Sequence, residues 1–322
     1  MRGRLIEKAV KVAEEEASRL AALEAEARRL LRAAEREGLI HYLDRAPPAP
    51  ARTAGVDGFF AEAASLLGRR VYAYRVVGVV AYAGGGARVV EEVEDLVVAG
   101  EAGGEEVAEY VEYTMMRAEA ETAARLSREA PVVLDGPIVD PPHEPYTPMA
   151  STAHSRYHEW RAGLLAGRRV AGYVKRVRGG RLAELLGVRL PGGPLGDPEL
   201  AYITLRAALR LHSDAHAAWI GPITPPDTPP YTSYKGLTQS YVLTRWWRSV
   251  RGVEAWDAEW GVELVVSATP PGLPHPVPVQ LAHEEAGRLA DGLDAVGKAI
   301  VSRIIERRPA SPAVLMSLKT GG

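Results

Sequence analysis

Cysteine is absent from the 322 residues, which excludes disulfides, thiol nucleophiles and thiolate zinc sites. Asparagine is absent too, and glutamine occurs only at Gln239 and Gln280. With arginine and glutamate abundant, this depletion of heat-labile residues is the pattern expected of a thermophile, although GC-rich coding would produce part of it. No apolar run reaches the roughly 18 residues of a membrane span, and the first residues are charged rather than signal-like, so a soluble cytoplasmic protein without a membrane partner is expected. No GxxxxGK[ST] occurs, so P-loop nucleotide hydrolysis is not expected, and no GxSxG marks a nucleophilic serine.

The formal net charge of −2 hides an asymmetry. Residues 1–150 carry 18 Lys and Arg against 26 Asp and Glu, a net of −8, while residues 151–322 carry 21 against 15, a net of +6. A phosphate-rich ligand would be met mainly by the second half, though solvated helix faces of either sign give the same counts.

Periodicity predicts a long helix over residues 3–37, whose narrow, alanine-rich stripe suits packing on its own domain or on another subunit. The prolines of residues 45–50 end it. Residues 59–68 read as helical, and residues 71–83 and 88–98 as an antiparallel hairpin turning at Gly84-Gly85-Gly86. Further helices are expected over residues 104–129, 155–167 and 201–219, strands over 170–177 and 262–268, and a final helix of some 25 residues begins near Leu281. Proline-rich loops fall at residues 141–148, 191–200 and 222–236. The expectation is one continuous α/β body over residues 51–322, with residues 1–50 as a helix and proline-rich linker.

The chemistry centres on residues 131–140, PVVLDGPIVD, in which apolar residues run into Asp135 and then glycine and proline, as in a buried strand that turns at a carboxylate. Residues 54–60, AGVDGFF, have the same grammar around Asp57. Asp-Gly alone means little, since Asp291-Gly292 repeats it inside the last helix; what separates the first two is the apolar run before each. On the helix over residues 104–129, Val107, Val111, Met115, Ala118, Thr122 and Leu126 mark the inward stripe. Glu119 falls on that stripe, whereas Glu121 lines up with Arg117 and Arg128 outside it. Glu119 is thus a candidate third ligand or a partly buried partner of an arginine. His283 is expected in the first turn of the last helix, where the dipole keeps its imidazole neutral. Three carboxylates and a histidine without cysteine form a hard-ligand set for manganese or magnesium. His154 with His158 and His212 with His216 have i, i+4 spacing but no HExxH, and read as coincidences on helix surfaces.

Lys175 lies in the densest basic patch, with Arg168, Arg169, Arg176, Arg178 and Arg181, which is either a charge-protected strand edge or a track for a phosphate backbone. Between Tyr231 and Arg248, aromatic and basic residues interleave; core packing explains most of them, and stacking on nucleic-acid bases is the other reading.

Taken together, GVDG at 55–58, RAEAETA at 117–123, VVLDGPIVD at 132–140, GYVKR at 172–176 and PVPVQLAHEEA at 276–286 resemble the NurA nuclease family, over residues 50–300. The resemblance implies an RNase H-like α/β fold around a central mixed sheet flanked by helices, a homodimer with a DNA channel, and manganese-dependent DNA cleavage. It also implies 5′ to 3′ exonuclease and single-strand endonuclease activity, on single- and double-stranded DNA, in double-strand-break resection with a hexameric HerA-type translocase. By the same resemblance, Asp57, Glu119, Asp135 and His283 are the metal-binding and catalytic residues, and Lys175, with Arg176 and Arg178 beside it, contacts DNA. His275 stands where the family has a tyrosine and is a further DNA-contact candidate. Two other readings remain: a non-catalytic DNA-end adaptor of a translocase, and an RNase H-like enzyme acting on RNA or branched DNA.

Overall fold

The structure, a computed structural model, describes residues 2–66, 69–99, 104–140, 148–176, 181–187, 196–307 and 319–320. In chain order the elements are α1 (Arg2–Arg36), β1 (Ile40–Leu43), β2 (Arg52–Leu66), β3 (Arg69–Tyr82), β4 (Ala87–Ala99), α2 (Gly104–Leu126), β5 (Val132–Asp135), α3 (Pro148–Leu165), β6 (Val170–Val174), α4 (Arg181–Leu185) and α5 (Asp197–Leu211). There follow β7 (Ala217–Ile223), a 3-10 turn (Tyr231–Ser233), β8 (Thr238–Thr244), β9 (Arg251–Ala255), α6 (Ala258–Ser267), α7 (Val277–Gly287), α8 (Leu289–Arg307) and β10 (Lys319–Thr320). This is the expected α/β class. No described helix is long and apolar enough to cross a membrane.

The chain divides into two compact units: Met1–Pro47 with Val174–Pro225 and Gly236–Val266, and Pro48–Tyr173 with Pro226–Lys235 and Ser267–Gly322. In the second unit, β6, β5 and β2 run parallel, while β3 and β4 continue from β2 as antiparallel neighbours, so the sheet is mixed. The glycine-turned hairpin is present as β3 and β4. The helix expected over residues 59–68 is instead the second half of β2, which pairs with β3 from Arg52 to Leu66 with a bulge near Glu62. Alanine-rich composition is a weak prior, and strand pairing overrides it. The alternation of a strand explains the local pattern: Phe59 packs with Val77, Val79, Ala282 and Ala286, whereas Phe60 packs with Tyr72 and Val111. One face of β2 is therefore covered by α7 and the other by α2.

α2 buries Val111, Met115, Ala118, Thr122 and Leu126 as the period requires. The side chain of Val107 lies outside the described residues. The single C-terminal helix is in fact two, α7 and α8, and His283 is seven residues into α7 rather than in a first turn, beyond the reach of the dipole argument. α7 sits very close to the sheet: a Cβ on Gly55 would lie 2.2 Å from the Pro278 carbonyl carbon.

In the first unit β1, β7, β8 and β9 form antiparallel pairs, and the buried Leu30, Leu31, Ala33 and Ala34 of α1 lie in the half that packs on α5. The helix expected to reach Trp219 stops at Leu211, and Trp219 belongs to β7. The strand expected over residues 262–268 is α6; an apolar run of that length fits a buried helix as well as a strand, and Asp257 Oδ1 accepts the Trp260 amide at 3.0 Å to start it. β6 ends at Val174, short of the expected residue 177, which with residues 141–147 and 191–195 lies outside the described residues. Tyr234, Tyr241 and Trp247 are buried, in keeping with core packing for those rings.

Candidate metal centre

β2 and β5 are parallel neighbours with Val56 opposite Leu134, so Asp57 and Asp135, one residue further along each strand, stand side by side. β5 stops there. Gly136, at φ 138°, donates its amide to Leu134 O at 3.1 Å and Tyr173 O at 3.0 Å, a positive-φ turn that glycine suits. Asp57 lies mid-strand, not at a turn as its Asp-Gly pair implied. Its carboxylate faces α7, where His283 Nδ1 is 2.6 Å from Asp57 Oδ2 and 3.5 Å from Asp135 Oδ2. One ligand atom from each of these three residues lies within 4.8 Å of the others.

The two carboxylates are 9 % and 8 % exposed and the imidazole 58 %, so the centre opens to solvent on the histidine side. A carboxylate only accepts, so without a metal Nδ1 carries a proton towards Asp57. Two desolvated carboxylates held together favour a bound cation, and an O,O,N donor set without sulfur fits manganese or magnesium.

Glu119 approaches from the other face. It is 7 % exposed, and its Oε1 lies where a side chain on Gly58 would begin, 2.7 Å from that Cβ position. Gly58 is thus needed for space, not for a turn. Burial, then the charge of Asp57, pushes the Glu119 carboxyl well above the usual carboxylate range; Arg161 opposes this, while Asp140 and Asp135 add to it. Glu119 is outside the three-ligand group but electrostatically part of the centre. Glu121 is on the outer side, bonded to Arg117 at 3.2 Å.

Arg161 is the residue that the sequence argument missed. It lies on α3, is fully buried, and donates from Nε to Ile138 O at 2.9 Å and from Nη1 to Met116 O and Tyr157 Oη, each at 2.9 Å. Met116 precedes Glu119 by one helical turn and Ile138 follows Asp135 by three residues, so one guanidinium ties together the backbones that carry two of the acids. An arginine beside the buried Ala162 and Leu165 was the signal available in the sequence. Burial pushes the Tyr157 hydroxyl up to about 12, which keeps it neutral beside Arg161. His154 and His158 are also core residues rather than surface coincidences: His154 bonds to Tyr113, and His158 Nδ1 is 2.7 Å from Tyr234 Oη. His212 and His216 pack instead against Tyr42 and Trp246.

His275 is held through Tyr173, whose hydroxyl donates to Pro274 O at 2.9 Å and lies 3.0 Å from His275 Nδ1. Tyr173 is the β6 residue in register with Asp135. Lys175 and Arg176 follow β6 within the first unit, and Arg178 lies outside the described residues.

No protein-family model matches the sequence, and neither does any curated protein. Solved structures do match. The crystal structure of the NurA nuclease from Sulfolobus solfataricus superimposes with a TM-score of 0.64 at 13 % identity, over 96 % of this chain and 99 % of that one. The chain has a NurA-like fold. A NurA crystal structure with manganese matches with a TM-score of 0.58 at 12 % identity, over 94 % of this chain and 98 % of its own. The NurA-like fold is the RNase H-like α/β architecture that the sequence motifs implied; at this identity it concerns the chain path, and the roles of individual residues rest on their geometry.

Proposed function

We propose that the protein is a divalent-metal-dependent deoxyribonuclease that hydrolyses phosphodiester bonds. The observation that carries this is the convergence of Asp57, Asp135 and His283, distant in sequence, within 4.8 Å of one another on a NurA-like fold. Manganese is the preferred ion in this reading, supported by the donor set and by the manganese-containing NurA structure. When bound, such an ion polarises the scissile phosphate and lowers the pKa of a nearby water.

The chain's own groups then have distinct tasks. Asp57 and Asp135 supply the anionic cradle. Asp57 also holds the His283 imidazole beside the carboxylate pair, where Nδ1, the ring nitrogen nearest both acids, would complete the ligand set on giving up its proton to the bound ion. Glu119 holds a proton to unusually high pH and joins the ligands only on losing it. Lys175, Arg176, Arg178 and His275 hold the DNA backbone in this proposal. Activity as a 5′ to 3′ exonuclease and single-strand endonuclease, within a homodimer that resects DNA ends with a HerA-type translocase, is the finer form of the same reading.

Purified protein incubated with end-labelled DNA tests it. Loss of label with manganese, stopped by EDTA and absent in Asp57→Ala and Asp135→Ala, is expected, with DNA binding retained. DNA binding without any metal-dependent loss of label would replace the nuclease by a non-catalytic end adaptor.

A further inference from the structure

Two cationic cavities open on the first unit, away from any residue assigned above except Lys175 and Arg176. One, of about 310 Å³, is lined by Lys175, Arg176, Tyr202 and Arg248. The other, of about 240 Å³, is lined by Arg206, Arg210, Thr244, Arg245 and Trp247. Their walls adjoin at two places. Tyr202 of the first cavity accepts a 2.7 Å bond from Arg206 Nη1 of the second, on α5, and Arg248 of the first directly follows Trp247 of the second, between β8 and β9. Tyr202, Arg206 and Arg210 recur at successive turns of α5 and form one row about 12 Å long.

The charge on this row is not neutralised. Among the described residues none of Arg176, Arg206, Arg210, Arg245 and Arg248 pairs with a carboxylate, whereas Arg75, Arg117 and Arg125 of the other unit all do. Among the described residues, Glu199 is the one acid lining either cavity. Arg245 is fixed by the carbonyls of Ala215 at 2.6 Å and His212 at 2.8 Å, which immobilise its guanidinium without cancelling its charge. Thr244, in the wall of the second cavity, is buried and its hydroxyl has no partner among the described residues, which leaves an O–H to donate. Complementing the C-terminal end of α5 explains Arg210 but neither Arg206 nor Arg248.

We infer that this row is a second binding track for the sugar-phosphate backbone of one DNA strand, with Arg206, Arg210, Arg245 and Arg248 as its phosphate contacts. The inference rests on the proposed action on DNA. A row of about 12 Å is long enough to meet at least two phosphates of one strand, whose rise along a duplex axis is roughly 3.4 Å per charge. Contacts of this kind position the strand without reading its sequence.

Arg206 and Arg210 are exposed, so Arg206→Gln with Arg210→Gln leaves the fold intact. Binding of a fluorescein-labelled oligothymidylate is followed by anisotropy in EDTA across a salt series, beside hydrolysis of bis-p-nitrophenyl phosphate with manganese. The double variant is expected to bind about tenfold more weakly at moderate salt, with a slope of log affinity against log salt smaller by about 1.4, the value for two lost single-strand contacts. Its hydrolysis of the small diester is expected to equal that of the parent. Binding within twofold of the parent at unchanged slope would overturn the track, as would displacement of the oligonucleotide by equimolar inorganic phosphate, which would mark isolated anion pockets. The two readings fail separately: binding with the expected slope but no cleavage removes the nuclease and keeps the track, whereas cleavage with unaltered binding by the variant does the reverse.

Discussion

Gly58→Ala displaces Glu119 without substituting any candidate ligand. The new Cβ would lie 2.7 Å from Glu119 Oε1, 2.9 Å from Met115 Cγ and 3.0 Å from Met115 Sδ. To regain an ordinary 3.4 Å contact the carboxylate oxygen must retreat by about 0.7 Å. Both neighbours are flexible side chains rather than backbone, so β2 need not move, and the stability cost is that of overpacking, about 1–3 kcal/mol. The site is less forgiving. Metal constellations tolerate about 0.5 Å of misplacement, and a shift on the order of 1 Å costs about 100-fold in rate, so a 10- to 100-fold loss of cleavage is expected. The assay is initial rate on end-labelled DNA across a manganese titration, with a thermal melt of the same sample. Rates within about twofold of the parent at limiting and saturating manganese would show that the space over Gly58, and Glu119 within it, is not needed.

Gly55→Ala sets a Cβ 2.2 Å from the Pro278 carbonyl carbon, backbone against backbone, so α7 must move and take His283 with it; a melting-temperature loss larger than that of Gly58→Ala is expected, with cleavage abolished. For Glu119, the raised pKa means that the metal-free fold is favoured by the protonated form: that contribution is fully present below the unfolded value of about 4.3 and is lost as pH rises through the folded value. Metal-free melting temperature should therefore fall with rising pH over that window, and Glu119→Gln should flatten the profile while removing cleavage; an unchanged slope in the variant would contradict the assignment. Arg161→Met leaves the Met116 and Ile138 carbonyls and the Tyr157 hydroxyl without their donor and should cost about 3–5 kcal/mol in chemical denaturation. Arg161→Lys, which keeps the charge but cannot span both carbonyls, should weaken manganese binding in calorimetry; parent-like affinity would limit Arg161 to general stability.

Much of this centre was legible because its signals are local. A run of three apolar residues into Asp135-Gly136 identifies a strand end, and the period of α2 turns Glu119 inwards. The same period left the face of β2 that Glu119 meets undetermined, because that depends on α2 and α7 covering opposite sides of the sheet. Asp57 stands beside Asp135, but the turn inferred from its Asp-Gly pair is a mid-strand glycine kept small for Glu119. β2 beyond Gly58 and the helix α6 were misread because alanine-rich and valine-rich runs carry no decisive period, and tertiary pairing chose between the alternatives. Arg161 had no motif at all: its role is visible only once Met116 and Ile138, 22 residues apart in sequence, are brought within reach of one guanidinium.

Crystals of the protein grown with manganese, with anomalous scattering collected at the manganese edge, address the central claim most directly. A peak bonded to Asp57, Asp135 and His283 together is predicted, and its loss in Asp135→Asn. A saturated crystal whose manganese sits elsewhere, with the contacts among these three side chains unchanged, would contradict it.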